Sequence, residues 1–165
     1  MDRLILFRHA KAESEAASGD DFDRALAPRG QREAKAMGAQ LAALGFRPDL
    51  VLVSPALRTR ETWELAKAAL PHAEVRLEPA LYNAEAGAIR RLAERAGEGR
   101  GTVVVVAHNP GLQELALRLL IEGVAPSSFL ARAQRKFPPA AVAVFDFDPA
   151  GRAVADGLFY PEREA

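Results

Sequence analysis

The sequence predicts an α/β fold: a three-layer α/β/α sandwich with a mainly parallel central sheet that ends in an antiparallel C-terminal edge. Three observations carry this expectation. Short apolar runs alternate with amphipathic stretches along most of the chain, the pattern of strands joined by crossover helices. The run TVVVVA is uncharged and rich in β-branched residues, as a strand covered on both faces would be. The last two apolar segments are joined by the turn sequence PAGR, with no room for a helix between them.

Taken in order, LILF (4–7) reads as a first, buried strand, and the polar stretch from Glu13 to Asp23 as a loop over one end of the sheet. RGQREAKAMGAQLAALG follows Pro28 and stops at Gly45, a residue suited to a helix C-terminus. DLVLVS (49–54) is the second strand. PALRTRETWELAKAAL is the next helix, with Ser54 as a natural N-cap and Pro55 in its first turn. AEVRL (73–77) is a weaker strand nearer an edge. Helices over Glu85 to Ala96 and Pro110 to Ile121 flank TVVVVAH (102–108). AVAVFDFD (141–148) alternates enough to be a more exposed strand, and AVADGLFY returns antiparallel to it. No repeat, low-complexity segment or linker divides the chain, so residues 1–165 are expected to form one domain, long enough to bury its own core.

Composition narrows the function classes. Lys plus Arg balance Asp plus Glu at 22 each, which argues against a dedicated nucleic-acid binder. There is no cysteine, so disulfides, thiolate catalysis and thiolate metal sites are excluded. The first apolar run is too short for a signal peptide, and no stretch approaches the ~18 apolar residues of a membrane span. A cytoplasmic protein, monomeric and without a membrane partner, is the expectation.

Three segments share one layout, an apolar strand followed by cationic or reactive residues and then a helix: ILFRHAKAE, VLVSPALRTRET and VVVAHNPGL. In an open parallel sheet the carboxyl ends of the strands lie at one edge, where ligands bind. Arg8, His9, Arg58 and His108 can therefore converge. Two guanidiniums and two imidazoles make a site for a tetrahedral dianion, because each guanidinium offers forked, charge-assisted hydrogen bonds to phosphate oxygens. Backbone N–H groups of Asn109 or Gly111, at the start of a helix, can add donors. A neutral imidazole can attack phosphorus, and neighbouring positive charge lowers its pKa and keeps it nucleophilic. No GxxxxGK[ST] stretch is present, against a nucleotide-binding P-loop. The third histidine, His72 in LPHAE, is read as solvated, as is Arg60, which faces another side of its helix.

RHA at Arg8 to Ala10, SPALRTRET around Arg58 and AHNPGL around His108 together resemble the histidine phosphatase superfamily, with its phosphoglycerate mutase-like fold. The short length, RHAK, HNPGL and the late stretch KFPPAAVAVF are similar to the SixA branch, associated with protein phosphohistidine phosphatases. The resemblance implies a metal-independent phosphatase that needs no cofactor. His9 would be the nucleophile, and Arg8, Arg58 and His108 the phosphate pocket. Asn109 would be a lesser phosphate contact, and Ser54 and Pro55 would shape the turn that carries Arg58. A phosphorylated substrate, including a phosphohistidine protein, is the implied partner.

Two departures from the family pattern stand out. Ala10 replaces the usual glycine, so the turn after His9 must be reachable at negative φ. Asn83, in LYNAEAG, stands where many relatives carry a proton-donating glutamate. Glu85, Asp20, Asp21 and Asp23 are the carboxylates that can replace it. Without an acid, substrates that leave as neutral imidazole are favoured over alkyl phosphates, for which a general acid is worth ~10²–10⁴ in rate.

Alternatives remain at this stage. One is a small-molecule phosphomonoester phosphatase selecting its substrate with Lys11 and Asp21 at the mouth. Another is a non-catalytic module that binds a phosphorylated ligand, against which the presence of His9 counts. A metal site using His9 and His108 is disfavoured by the adjacent arginines. Trp63 and Leu65 are read as core or pocket wall, Tyr82 as mouth lining or packing. The basic stretch Arg132 to Lys136 is read as a solvated face or a dock for an acidic partner.

Overall fold

A computed structural model describes residues 1–162; the last three residues of the expected domain lie outside the described residues. The strands are β1 (Arg3–Arg8), β2 (Leu50–Val53), β3 (Glu74–Leu77), β4 (Thr102–Ala107), β5 (Val142–Phe147) and β6 (Ala153–Phe159). They form one sheet in the order β3-β2-β4-β1-β5-β6. β1, β2, β3 and β4 run parallel, while β5 lies antiparallel to β1 and β6 antiparallel to β5. The helices are α1 (Pro28–Ala43), α2 (Leu57–Ala66), α3 (Ala86–Ala96), α4 (Gly111–Glu122) and α5 (Ser127–Arg135).

Period-two alternation divides the core. Leu4 and Leu6 of β1 pack toward α3, α4 and α5 with Val103, Val105, Leu112 and Leu115. Ile5 and Phe7 pack on the other face with Val104, Val106, Met37 and Leu41, beneath α1 and α2. Both faces of the central strands are covered, which is why LILF and VVVV carry no charge. The three-layer, mainly parallel α/β architecture with an antiparallel C-terminal side is therefore present.

Several elements differ from the sequence expectation. β5 is an inner strand with Val142 to Phe145 buried, and its apparent alternation is one of size, Ala against Val, rather than of polarity. β6 forms that edge of the sheet. Ser54 does not cap α2: the helix begins at Leu57 with Ala56 at the cap position, and the Ser54 hydroxyl is engaged elsewhere. α2 also ends at Ala66, and its last turn is a 3-10 turn over Lys67–Ala69. The helix α5 is not expected from the sequence, where the stretch Arg132 to Lys136 reads as a basic surface; its basic residues are the polar face of a short amphipathic helix that buries Ala133. Arg132, at the start of the basic stretch, stacks over the Tyr160 ring at 4.5 Å. β3 is an edge strand, as read, and His72 is exposed in the loop before it.

Candidate active site

Parallel pairing brings the ends of β1, β2 and β4 to one edge, in register Arg8 with Ala107 and Val53 with Val106. Arg8, His9, Arg58 and His108 meet there around a cavity of about 250 Å³. The His9 and His108 rings lie 5.3 Å apart, tilted by 56°. Asn109, Lys11 and Asn83 line the same cavity, and so does Arg24, which the sequence reading missed. Arg24 sits in a polar loop with no strand end before it, so nothing in the pattern singled it out.

His9 is held from several sides. Its backbone N–H donates to Ala107 and its carbonyl accepts from Ala140, which lies in the KFPPAA stretch. Its Nδ1 lies 2.8 Å from the Ala10 carbonyl. A carbonyl only accepts, so Nδ1 carries the proton and Nε2 keeps its lone pair. Ala10 has a negative φ, as its side chain requires, and its N–H donates to the Thr62 hydroxyl at 3.0 Å. Thr62 in turn donates to the Arg58 carbonyl at 2.7 Å, tying the turn after His9 to α2.

The SPALRTRET segment is explained almost residue by residue. The Ser54 hydroxyl lies 2.7 Å from Nε2 of His108, fully buried. The Thr59 hydroxyl reaches the carbonyls of Ser54 and Ala56 and closes the first turn of α2. Glu61 accepts from the Leu26 N–H and anchors the end of the polar loop. Arg60 turns outward, exposed, with Nε on the Pro55 carbonyl, and Trp63 is buried beneath α1 and α2.

Arg8 and Asn109 share an acceptor. Nη1 of Arg8 and Nδ2 of Asn109 donate to the Phe137 carbonyl at 3.0 and 2.9 Å. The KFPPAA stretch thus braces both residues beside the cavity. The Asn109–Pro110 peptide is cis. At Gly111 an added Cβ would stand 2.2 Å from the Ala84 carbonyl, so only glycine lets α4 start this close to the loop that carries Asn83.

Of the four candidate proton donors, Asp21 alone is bonded to side chains that line the cavity, Arg24 and Arg58, though it is not itself part of the lining. Asp21 accepts from Tyr82 Oη at 2.6 Å, from Arg24 Nε at 2.9 Å and from Arg58 Nη2 at 3.1 Å. The Tyr82 hydroxyl, then Arg24 and Arg58, hold its carboxyl well below the usual carboxylate range, so it stays ionised. The same bond raises the pKa of Tyr82, whose ring packs edge-on to His108 at 5.6 Å. Asp20 caps the 3-10 turn over Asp21–Asp23, Asp23 accepts from Ser18, and Glu85 stands at the cap of α3, all outside the cavity lining. Asn83 has φ +61°, a conformation that asparagine tolerates better than most side chains.

Burial, more than neighbouring charge, sets the histidines. It lowers His9 to about 3, with His108, Arg8 and Arg58 adding to the effect against the Ala10 bond. His108 falls to about 4 through burial and then Arg58, partly offset by Asp21. Both rings are neutral at pH 7. The arrangement can hold a tetrahedral anion among guanidiniums and present it to a neutral imidazole nitrogen.

A strand-end pocket of this composition on this sheet defines a class of phosphoryl-handling α/β protein. The chain belongs to the histidine phosphatase superfamily, branch 1, whose family model matches residues 4–95. It is 36% identical over 137 residues to an uncharacterized protein of Mycobacterium tuberculosis, covering 83% of this chain and 84% of the relative. Among solved structures, an Agrobacterium tumefaciens protein named for the phosphohistidine phosphatase SixA superposes with TM-score 0.83 at 29% identity, over 97% of this chain and 98% of that one. The protein histidine phosphatase SixA in complex with tungstate gives TM-score 0.78 at 25% identity, over 96% and 97%. The chain is SixA-like within its superfamily.

Proposed function

We infer that the protein is a metal-independent phosphohistidine phosphatase working through a phosphohistidine on His9. The observation that carries this reading is the cavity's composition: among the described residues, four cationic side chains and two neutral imidazoles line it with no carboxylate, and Asp21, bonded to the lining residues Arg58 and Arg24, is locked in its ionised form. Nε2 of His9 attacks phosphorus, the new N–P bond forms and the substrate's N–P bond breaks. The departing imidazole leaves neutral, keeping the proton on its distal nitrogen, and needs no acid. Arg8, Arg58 and His108 stabilise the charge spread over the equatorial oxygens. Asn109 adds a polar contact. Water then takes the phosphoryl group from His9 and releases inorganic phosphate.

Asn83 supports the same substrate class, since an amide cannot protonate an alkoxide. The similarity to SixA proteins points the same way. The test is a comparison of turnover of phosphohistidine, p-nitrophenyl phosphate and an alkyl phosphate, with rapid-quench trapping of an acid-labile, base-stable phosphoenzyme. Turnover is expected to fall in that order and the adduct to vanish in His9→Ala. An alkyl phosphate turned over fastest, or a His9→Ala variant at near-normal rate, would overturn the reading.

A further inference from the structure

The polar loop between His9 and α1 does more than cover the pocket. Arg58 uses its end-on fork on a single residue of that loop: Nη1 donates to the Asp21 carbonyl at 2.9 Å and Nη2 to Asp21 Oδ2 at 3.1 Å. Its Nε is buried and has no protein partner. Together with the second Nη2–H, that Nε–H makes the side-on fork, which matches two oxygens of a tetrahedral oxyanion. The guanidinium, which lines the cavity, is thus gripped on one edge while Nε on the other edge has no protein partner.

Asp21 is itself held. Tyr82, from the loop before α3, donates to the oxygen that Arg58 contacts, and Arg24 takes the other oxygen while its Nη1 reaches the Glu13 carbonyl at 2.7 Å. Arg58, Asp21 and Tyr82 come from three separate segments, and Phe22 packs edge-on to the Tyr82 ring at 5.3 Å, closing the cluster. An incoming anion that had to displace Asp21 would break four hydrogen bonds, whereas one bound on the side-on fork breaks none.

We propose that Asp21 is the positioning residue of Arg58, clasping one edge of its guanidinium so that the other edge meets the transferring phosphoryl group, with Tyr82 and Arg24 fixing Asp21. The inference rests on the phosphatase reading of the pocket. It also gives the loop carboxylate a role other than that of a proton donor.

The test uses the full chain, with turnover of phosphohistidine and calorimetric binding of tungstate as readouts. A misplaced catalytic group can cost about a hundredfold, so Asp21→Ala is expected to lose between about ten- and a hundredfold in kcat and to weaken tungstate binding. A thermal melt accompanies the kinetics, because Asp21 bonds the buried Arg58 side chain and some loss of stability is expected; the losses in kcat and tungstate affinity are read on folded protein. Asp21→Asn, which keeps an accepting oxygen, should retain part of the activity, and Tyr82→Phe should show a smaller loss in the same direction. The decisive measurement is the double variant: in an Arg58→Ala background, Asp21→Ala should cost almost nothing further. Equal losses in both backgrounds, or an Asp21→Ala variant with unchanged or improved kcat and tungstate affinity, would overturn the clasp while leaving the phosphatase reading intact. A wild-type protein that neither binds tungstate nor turns over phosphohistidine would overturn both.

Discussion

Ser54 and His108 meet at 2.7 Å, so the residue that follows β2 is bonded to the residue that follows β4. The two strands are parallel neighbours, and their register, with Val53 opposite Val106, brings Ser54 within one residue of His108 at the sheet edge. The bond sets the His108 ring plane and fills one of its nitrogens, while its Nδ1 has no protein partner. Ser54→Ala leaves a second buried ring nitrogen unsatisfied, which costs on the order of 1–3 kcal/mol. A lower urea midpoint with an unchanged m-value is expected, together with a smaller loss of turnover than Arg58→Ala causes.

The depressed histidines give a pH dependence with a definite sign. His9 and His108 titrate near 3 and 4 in the folded protein, against about 6.5 in an unfolded chain. Between those values the unfolded chain binds more protons, so stability rises with pH across the interval. It is fully present above about pH 6.5 and declines as the medium is acidified toward 3. Urea unfolding at pH 4.5 and pH 7 checks the sign. For the same reason kcat/KM should show no acid limb near 6.5 that belongs to the free enzyme's nucleophile.

The sequence made the strand ends legible because chemistry and hydrophobic pattern coincide there. An uncharged Val run that stops on His108, or LILF stopping on Arg8 and His9, marks both a strand and the edge where ligands bind. Arg24 and the clasp by Asp21 were not legible in this way. Their loop has no periodicity, and their partners Arg58 and Tyr82 lie far along the chain, so their meeting depends on tertiary packing alone. Ser54 shows a third situation. Serine before a proline and a helix is a good cap by local rules, yet its hydroxyl is drawn to a histidine from a neighbouring strand. β5 misled for a simpler reason, since alanine at alternate positions resembles polarity in pattern while being fully buried.

Asn83 offers a gain-of-function prediction. It lines the cavity at φ +61°, where its amide can stabilise but not protonate a leaving group. Asn83→Glu places an acid there, and the rate on an alkyl phosphate should rise by about tenfold or more, within the ~10²–10⁴ a general acid can supply. Phosphohistidine turnover should gain little. The left-handed backbone disfavours glutamate by about 1–2 kcal/mol, so a lower melting temperature should accompany the gain. An unaltered ratio of alkyl phosphate to phosphohistidine rates would show that position 83 does not face the leaving group.

Gly30 tests how the start of α1 supports the catalytic turn. It is buried, and a Cβ there would stand 2.0 Å from the Lys11 carbonyl, a backbone atom that cannot rotate aside. That carbonyl accepts from the Ala27 N–H, and Ala12 bridges Leu26, so the segment just after His9 is pinned to the segment entering α1. Gly30→Ala must push the two apart. The expected loss is about 1–3 kcal/mol of stability, the usual range for overpacking a close contact. Because Lys11 follows directly on the Ala10 carbonyl that orients His9, turnover should fall as well, even in the fraction of protein that remains folded. Alanine at the neighbouring exposed position, Gln31→Ala, removes only a surface side chain of α1 and should leave both quantities near wild type. Comparing the two variants by thermal melt and single-turnover rate separates strain at the turn from a general effect on α1.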